Sequence, residues 1–353
     1  MPARQVFFAT NRAVDGQTRR FGGLCCQPPD ALRTGFVSCT GLADPVPEGE
    51  CDFATLQLAP DTADALADSV AKWLLTAEHE GAVPLLFTHG FNHTYADAMS
   101  RTAKLCAWLE AGWDRSFLPF AFTWPSQGRG PVSYDDDAQQ VGQSGPALAK
   151  LIAAVAAARR PGQKVVYLAH SMGVQATRWG MKAIEPMLPA LKARPVFAQA
   201  FLMAGDDVRD VLDRPGASPT AGALRAIAEV AAFTTIGVNR DDGVVWLVSG
   251  VANGKDRLGA AGPSRPQDLP ANVAVVDYSR VVLDFGPDIL VPQTEVTANW
   301  VGHQYYRNAP LVRADLLATI AADGPPAAVP GRRPARPAGS GVDEIPGRLY
   351  VGP

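Results

Sequence analysis

The sequence predicts an α/β protein built on a mostly parallel sheet with helices on both faces. Wholly apolar runs of strand length recur through the middle of the chain, and stretches with apolar residues at helical spacing separate them. Polar, glycine-bearing turns follow several of these runs directly, and in such sheets ligands bind beyond the carboxyl ends of the strands.

Taken in order, residues 6–9 are a short strand candidate inside a first zone, 1–60, rich in Gly, Pro and Cys. Residues 62–80 carry Leu66, Val70, Trp73 and Leu74 at helical spacing until Gly81 stops them. The run 83–87 has the character of a strand buried on both faces. A helix over 95–111, a strand over 118–123 and a long alanine-rich helix over 136–159 follow. The strand 164–169 leads into a helix over 174–188. Phe197–Met203 and 232–238 are further strands, with a helix over 221–231 between them, and Val273–Asp277 and 281–285 offer the last.

The expected catalytic domain is 61–322. The tail 323–353 is dominated by Pro, Gly, Ala and Arg, a composition that predicts a solvated extension. Its residues 348–351 are the part suited to dock on an edge strand. Two loops, 253–272 and 286–302, are long and rich in Pro and Gly, and the second is expected to help form the site.

Composition narrows the function. The 353 residues are 47% hydrophobic and 19% charged, with a net charge of −3 and scattered Lys and Arg. No basic stripe for nucleic acid is present. No apolar run reaches membrane-spanning or signal-peptide length, so a cytoplasmic location is expected. The five cysteines lack metal-ligand spacing, and adjacent Cys25 and Cys26, which a redox or metal pair would also fit, are expected as buried or idle thiols. No cofactor or metal is called for.

The chemistry gathers at the strand ends. After the strand 164–169 comes Ala169-His170-Ser171-Met172-Gly173 and then a helix, the strand–turn–helix setting of a nucleophile elbow. The turn needs small flanking residues, lifts the Ser171 hydroxyl to the head of the sheet and aims the Met172 N–H at the same point. The competing role for Ser171 is capping the next helix. After 83–87 comes Thr88-His89-Gly90-Phe91-Asn92-His93, where Gly90 is expected to let the chain turn so that the Phe91 amide supplies a second oxyanion donor. His89 and His93 as a metal pair would need a helix and a third ligand nearby.

Serine needs a general base. Of five histidines, His79 lies at the wrong end of the sheet, His89 and His93 belong to the oxyanion loop, and His170 cannot reach back to the serine oxygen. His303 remains, and it alone fits the order serine, acid, histidine. Asp242 is the first choice of acid, with Asp241 next and Asp207 third; the spare aspartates can cap helices. Phe91, Tyr95, Trp124, Tyr134 and Met172 are expected to line an apolar pocket suited to an acyl chain or aromatic ester. Tyr95 and Tyr134 have an alternative place in the core.

At this point the chain resembles the bacterial α/β-hydrolases grouped as domain of unknown function nine hundred, within the esterase/lipase superfamily. The stretches that carry the resemblance are Val6–Arg12, Phe87–Asn92, Phe122–Ser126, His170–Gly173, Asn239–Asp242 and Gly302-His303. It implies a Ser171–Asp242–His303 triad. Ala169 stands where glycine is common in the superfamily. An extra residue in the acid loop leaves Asp241 and Asp242 both open.

The expected activity is hydrolysis of a small-molecule carboxylic ester, thioester or lactone through an acyl-serine. An acyltransferase and a non-catalytic binding protein of the same fold are the alternatives.

Overall fold

The computed structural model describes residues 3–14, 21–40, 51–60, 62–192, 194–245, 256–281, 302–322, 324–337 and 344–351. Among these, the strands are β1 (Arg4–Thr10), β2 (Arg12–Val14), β3 (Phe21–Cys25), β4 (Arg33–Cys39), β5 (Cys51–Leu58), β6 (Val83–Thr88) and β7 (Phe117–Thr123). They continue with β8 (Val166–His170), β9 (Phe197–Met203), β10 (Ala231–Val238), β11 (Val273–Asp277), β12 (Arg332–Pro334) and β13 (Leu349–Val351). An eleven-stranded sheet has the order β12-β13-β11-β10-β9-β8-β6-β7-β1-β4-β5, and β2 pairs with β3 alone. From β1 to β13 across the middle every pairing is parallel, while at the edges β4 pairs antiparallel with β1, β5 with β4 and β12 with β13.

The central strands are mostly apolar because both faces are covered. Along β6, Val83, Leu85 and Phe87 join one core and Leu86 the other; along β8, Val166 and Leu168 face one way and Tyr167 and Ala169 the other. Helices α1 (Ala65–His79), α4 (Gly145–Ala158) and α5 (Gly173–Ile184) cover one face. Helix α2 (Tyr95–Glu110) and the helix Pro310–Ala321 cover the other. Thr94 opens α2 with a capping box to Asp97, and Gly81, at φ +63°, follows the end of α1.

Several expectations are corrected. The helix over 136–159 is two helices, α3 (Tyr134–Gln143) and α4, bent by 45° at Ser144. Pro146 sits in the first turn of α4, and a side chain on Gly145 would strike Trp179 at 2.5 Å, so the chain turns there to pack on α5. The helix over 221–231 shrinks to Ile227–Val230, because Gly222 takes φ +83°. In the first zone only one strand was expected, yet β1 to β5 all form. Cys39 and Cys51, opposite each other in β4 and β5, are joined in a disulfide, while Cys25, Cys26 and Cys106 remain thiols.

Among its described residues, 324–337 and 344–351, the tail is not a solvated extension. β13 pairs with β11 and β12 with β13. Arginines anchor it alongside buried Val329 and Tyr350. Buried Arg332 meets both oxygens of Asp315 at 2.7 and 2.8 Å, and Arg348 meets Asp277 at 2.8 Å. Residues 282–301, which hold the expected strand 281–285 beyond Val281 and most of the loop 286–302, lie outside the described residues, as do 253–255 of the other long loop. Among the described residues no single helix is long and apolar enough to cross a membrane.

Candidate functional site

Strand order locates the site. From β6 the chain moves to β7 on one side; from β8 it moves to β9 on the other. The direction of winding therefore reverses between neighbours β6 and β8, opening a crevice at their carboxyl ends. The loops that emerge there are His89–His93 and Ser171–Met172.

Ser171 is forced into left-handed backbone, φ +55°, between the end of β8 and the start of α5. For a non-glycine residue this costs about 1–2 kcal/mol, and neighbouring backbone bonds hold it. The Ser171 N–H donates to the Met203 carbonyl at 3.0 Å, and its own carbonyl accepts from Val174 and Asp206 at 2.9 and 3.1 Å. The close fit explains the flanking glycines. A Cβ on Gly173 would lie 2.5 Å from the Thr88 carbonyl oxygen, and one on Gly90 2.8 Å from the Ser171 Cβ. Ala169 is tolerated, fully buried in the core. Met172 is the N-cap of α5, where backbone donors are left without helical partners and the helix dipole is positive.

The loop after β6 differs from expectation in one respect. Gly90 is not a positive-φ position; Asn92 is, at φ +62°. Glycine is needed at 90 for room against Ser171 rather than for the turn. Two imidazoles hold the loop's carbonyls: His89 Nδ1–H donates to Gly90 O at 2.8 Å and His93 Nδ1–H to Phe91 O at 2.6 Å. Because a trans peptide points its N–H opposite its C=O, the Phe91 N–H faces away from His89. Burial pushes the His89 imidazole down to about 3 and holds His93 well below its usual range, so both are neutral at pH 7.

His303 and Asp242 come together. His303 Nδ1 lies 2.8 Å from Asp242 Oδ2, with side chains 5% and 0% exposed. The other carboxylate oxygen of Asp242 accepts from the Val245 N–H at 3.0 Å. Three further bonds fix the His303 loop. Asn239 Nδ2 donates to Gly302 O at 3.0 Å, His170 Nε2–H to His303 O at 3.2 Å, and the Ala204 N–H to the Tyr305 hydroxyl oxygen at 2.9 Å. The His170 ring also stacks on Tyr306 and leans on His303, with centroids 4.3 and 4.5 Å apart. Asp241 is exposed. Asp207 is bonded instead to Arg178 at 2.8 Å and to the Val208 N–H, and burial raises its carboxyl above the usual range.

The expected pocket residues divide. Tyr134 packs edge-on against Phe91, centroids 5.5 Å apart, and its hydroxyl donates to Asp206 at 2.8 Å while accepting from Arg257 at 3.1 Å. Trp124 is fully buried behind the loop, stacked on His89 and donating to its carbonyl at 2.8 Å, so it backs the site instead of lining it. Tyr95, the first residue of α2, turns inward onto Phe8 and Phe21 and belongs to the core. Sequence reasoning assigned no role to Asn239 or Arg12 and missed the Asp206–Arg257 ion pair at 3.0 Å. Arg12 carried a signal: a charged residue two positions past the end of a buried strand.

Among the described residues no group of three or more His, Cys, Asp or Glu is arranged to hold a metal.

The sheet, its winding reversal and the strand–turn–helix at Ser171 define an α/β-hydrolase fold. The chain belongs to the family described as alpha/beta hydrolase of unknown function (DUF900), whose model matches residues 63–319. Among solved structures, the chain is similar to a bacterial heroin esterase at 12% identity, with a TM-score of 0.31, covering 89% of this chain and 84% of that one. No curated protein matches.

Proposed function

We propose that this protein is a serine hydrolase that cleaves a carboxylic ester, thioester or lactone through an acyl-serine intermediate. The observation that carries the reading is a serine held in left-handed backbone at the winding reversal, beside a loop whose His303 is hydrogen-bonded to buried Asp242.

Ser171 Oγ attacks the acyl carbon, and His303 Nε2 takes its proton. Asp242 keeps the other imidazole nitrogen, Nδ1, protonated and stabilises the imidazolium that forms. Negative charge develops on the carbonyl oxygen, and the Phe91 and Met172 amides hold it, each such donor contributing about 3 kcal/mol. His303 then returns the proton to the leaving alcohol or thiol, which frees the acyl-serine for attack by water. The Phe91–Tyr134 pair offers an apolar wall for the acyl chain. The wall is restrained, since Tyr134 is tied to Asp206 and Arg257.

Labelling by a fluorophosphonate tests the reading. Wild type should label, and Ser171→Ala and His303→Ala should not. A panel of p-nitrophenyl esters of rising acyl length should then show a length optimum. A folded wild type that neither labels nor turns over any ester would sink the proposal, and equal rates across the panel would remove the apolar wall.

A further inference from the structure

Arg12 is the most deeply buried cation near the site, at 1% exposure. It lies outside the family-matched region 63–319. Its guanidinium donates four hydrogen bonds: Nε to Thr123 Oγ1 at 2.9 Å, Nη1 to Gly22 O at 3.0 Å and Ser126 O at 2.8 Å, and Nη2 to His93 O at 2.9 Å. None of the four acceptors is a carboxylate. Burial pushes the group down to about 9, so it is still charged at neutral pH. A cation taken out of water for carbonyl and hydroxyl partners is costly, and its fork lands on the parts that hold the oxyanion loop.

The chain of contacts is continuous. Arg12 fixes the backbone of His93 by its carbonyl, and Ser126 Oγ accepts from the His93 N–H at 3.0 Å. Ser126 in turn donates to Asp137 at 2.5 Å, and Asp137 accepts from the Gln127 N–H at 3.0 Å. Held from both sides, His93 reaches back through Nδ1 to the Phe91 carbonyl at 2.6 Å. Asn92, between them, takes the left-handed conformation and accepts from the Gly130 N–H at 2.7 Å.

We propose that Arg12 is a positioning residue for catalysis: it clamps the loop after β7 and the loop after β6 together so that the Phe91 amide stays aimed at the developing oxyanion. The role rests on the serine-hydrolase reading above. It also means that the hairpin of β2 and β3, through the Gly22 carbonyl, is part of the site's support. Lysine cannot replace the arginine, because an ammonium lacks the planar fork that reaches separated acceptors at once.

The test compares Arg12→Lys and Arg12→Gln with Arg332→Lys, a buried arginine at the opposite edge of the sheet. Each is assayed by p-nitrophenyl butyrate turnover, with folding followed by circular dichroism and thermal melting. Arg12→Lys should melt cooperatively and lose about 10²-fold in kcat, as expected for one misaimed oxyanion donor, with KM within about threefold. If the lysine variant does not fold, the neutral glutamine variant carries the same expectation. Arg332→Lys should lower the melting temperature and leave kcat unchanged. A folded Arg12 variant with wild-type kcat overturns the role, as does an equal kcat loss in Arg332→Lys. An inactive, unlabelled wild type overturns the hydrolase reading, and this role falls with it.

Discussion

Acidification should destabilise this protein through three histidines at the candidate site. His89, His93 and His170 are buried there, and desolvation holds all three imidazoles low, His89 at about 3. Neighbouring Arg12 adds to the effect at His89, Arg101 at His93 and His303 at His170. In the unfolded chain they titrate near 6.5, so below that pH the unfolded state binds protons that the fold refuses. Their stabilising contribution is complete above about pH 6.5 and is lost as the pH falls toward the folded values.

Each histidine contributes up to about 1.4 kcal/mol per pH unit in that window, and three together about 4 kcal/mol. Asp137 and Asp207, raised by burial, bind protons first in the fold and oppose part of the loss. The net slope should fall between about 1 and 4 kcal/mol per pH unit from pH 5.5 to 4.5. Against a total stability of about 5–15 kcal/mol, that range spans partial loss to unfolding. Urea titrations at pH 7, 6, 5.5 and 4.5 measure the slope directly, and His170→Gln should reduce it by about 1.4 kcal/mol per unit. A stability flat between pH 6 and 4.5, or a slope indifferent to that substitution, would refute the reasoning.

Four substitutions, two of them with a control, extend the predictions. Asp242→Asn should fold and lose about 10⁴-fold in kcat, since the imidazole tautomer is no longer enforced; Asp241→Asn, at an exposed position, should stay within about threefold. Gly90→Ala places a methyl 2.8 Å from the Ser171 Cβ, and fluorophosphonate labelling should slow by at least about tenfold as the elbow is pushed out of line. Ser171→Gly should be inactive yet raise the urea midpoint, recovering about 1 kcal/mol of left-handed strain; Ser171→Ala should not. Asp315→Ala strands the Arg332 guanidinium in the core and should cost about 3–5 kcal/mol, read as an equivalent fall in unfolding free energy.

The central sheet was legible because β6 to β11 are buried on both faces and mostly apolar, with Gln199 in β9 and Thr234 and Thr235 in β10 among the exceptions. Positions 171, 242 and 303 stood out for a related reason, since ligands in such sheets bind beyond the strand ends, and the structure hydrogen-bonds His303 to Asp242. The edges were not legible. β4 and β5 have mixed exposure and carry Gly, Ser and Cys, which weakens the apolar pattern. The tail was misread because its anchors are paired charges, Arg332 with Asp315 and Arg348 with Asp277. Composition scores such residues as solvent-seeking until their partners are known. Tyr95 and Trp124 were placed in the pocket for being aromatic near a strand end, a criterion that core aromatics satisfy equally well.

The late position of β13 in the chain has a practical consequence. Its partner β11 is laid down more than seventy residues earlier, from Val273 to Asp277, and waits with its outer edge bare until Leu349 and Tyr350 arrive. A chain cut before residue 348 would present that edge to any other strand in solution, and Asp277 would lose its Arg348 partner. Exposed edges of this kind recruit one another. Trimming the proline-rich segment for crystallisation or fusion would therefore trade a compact particle for an adhesive one.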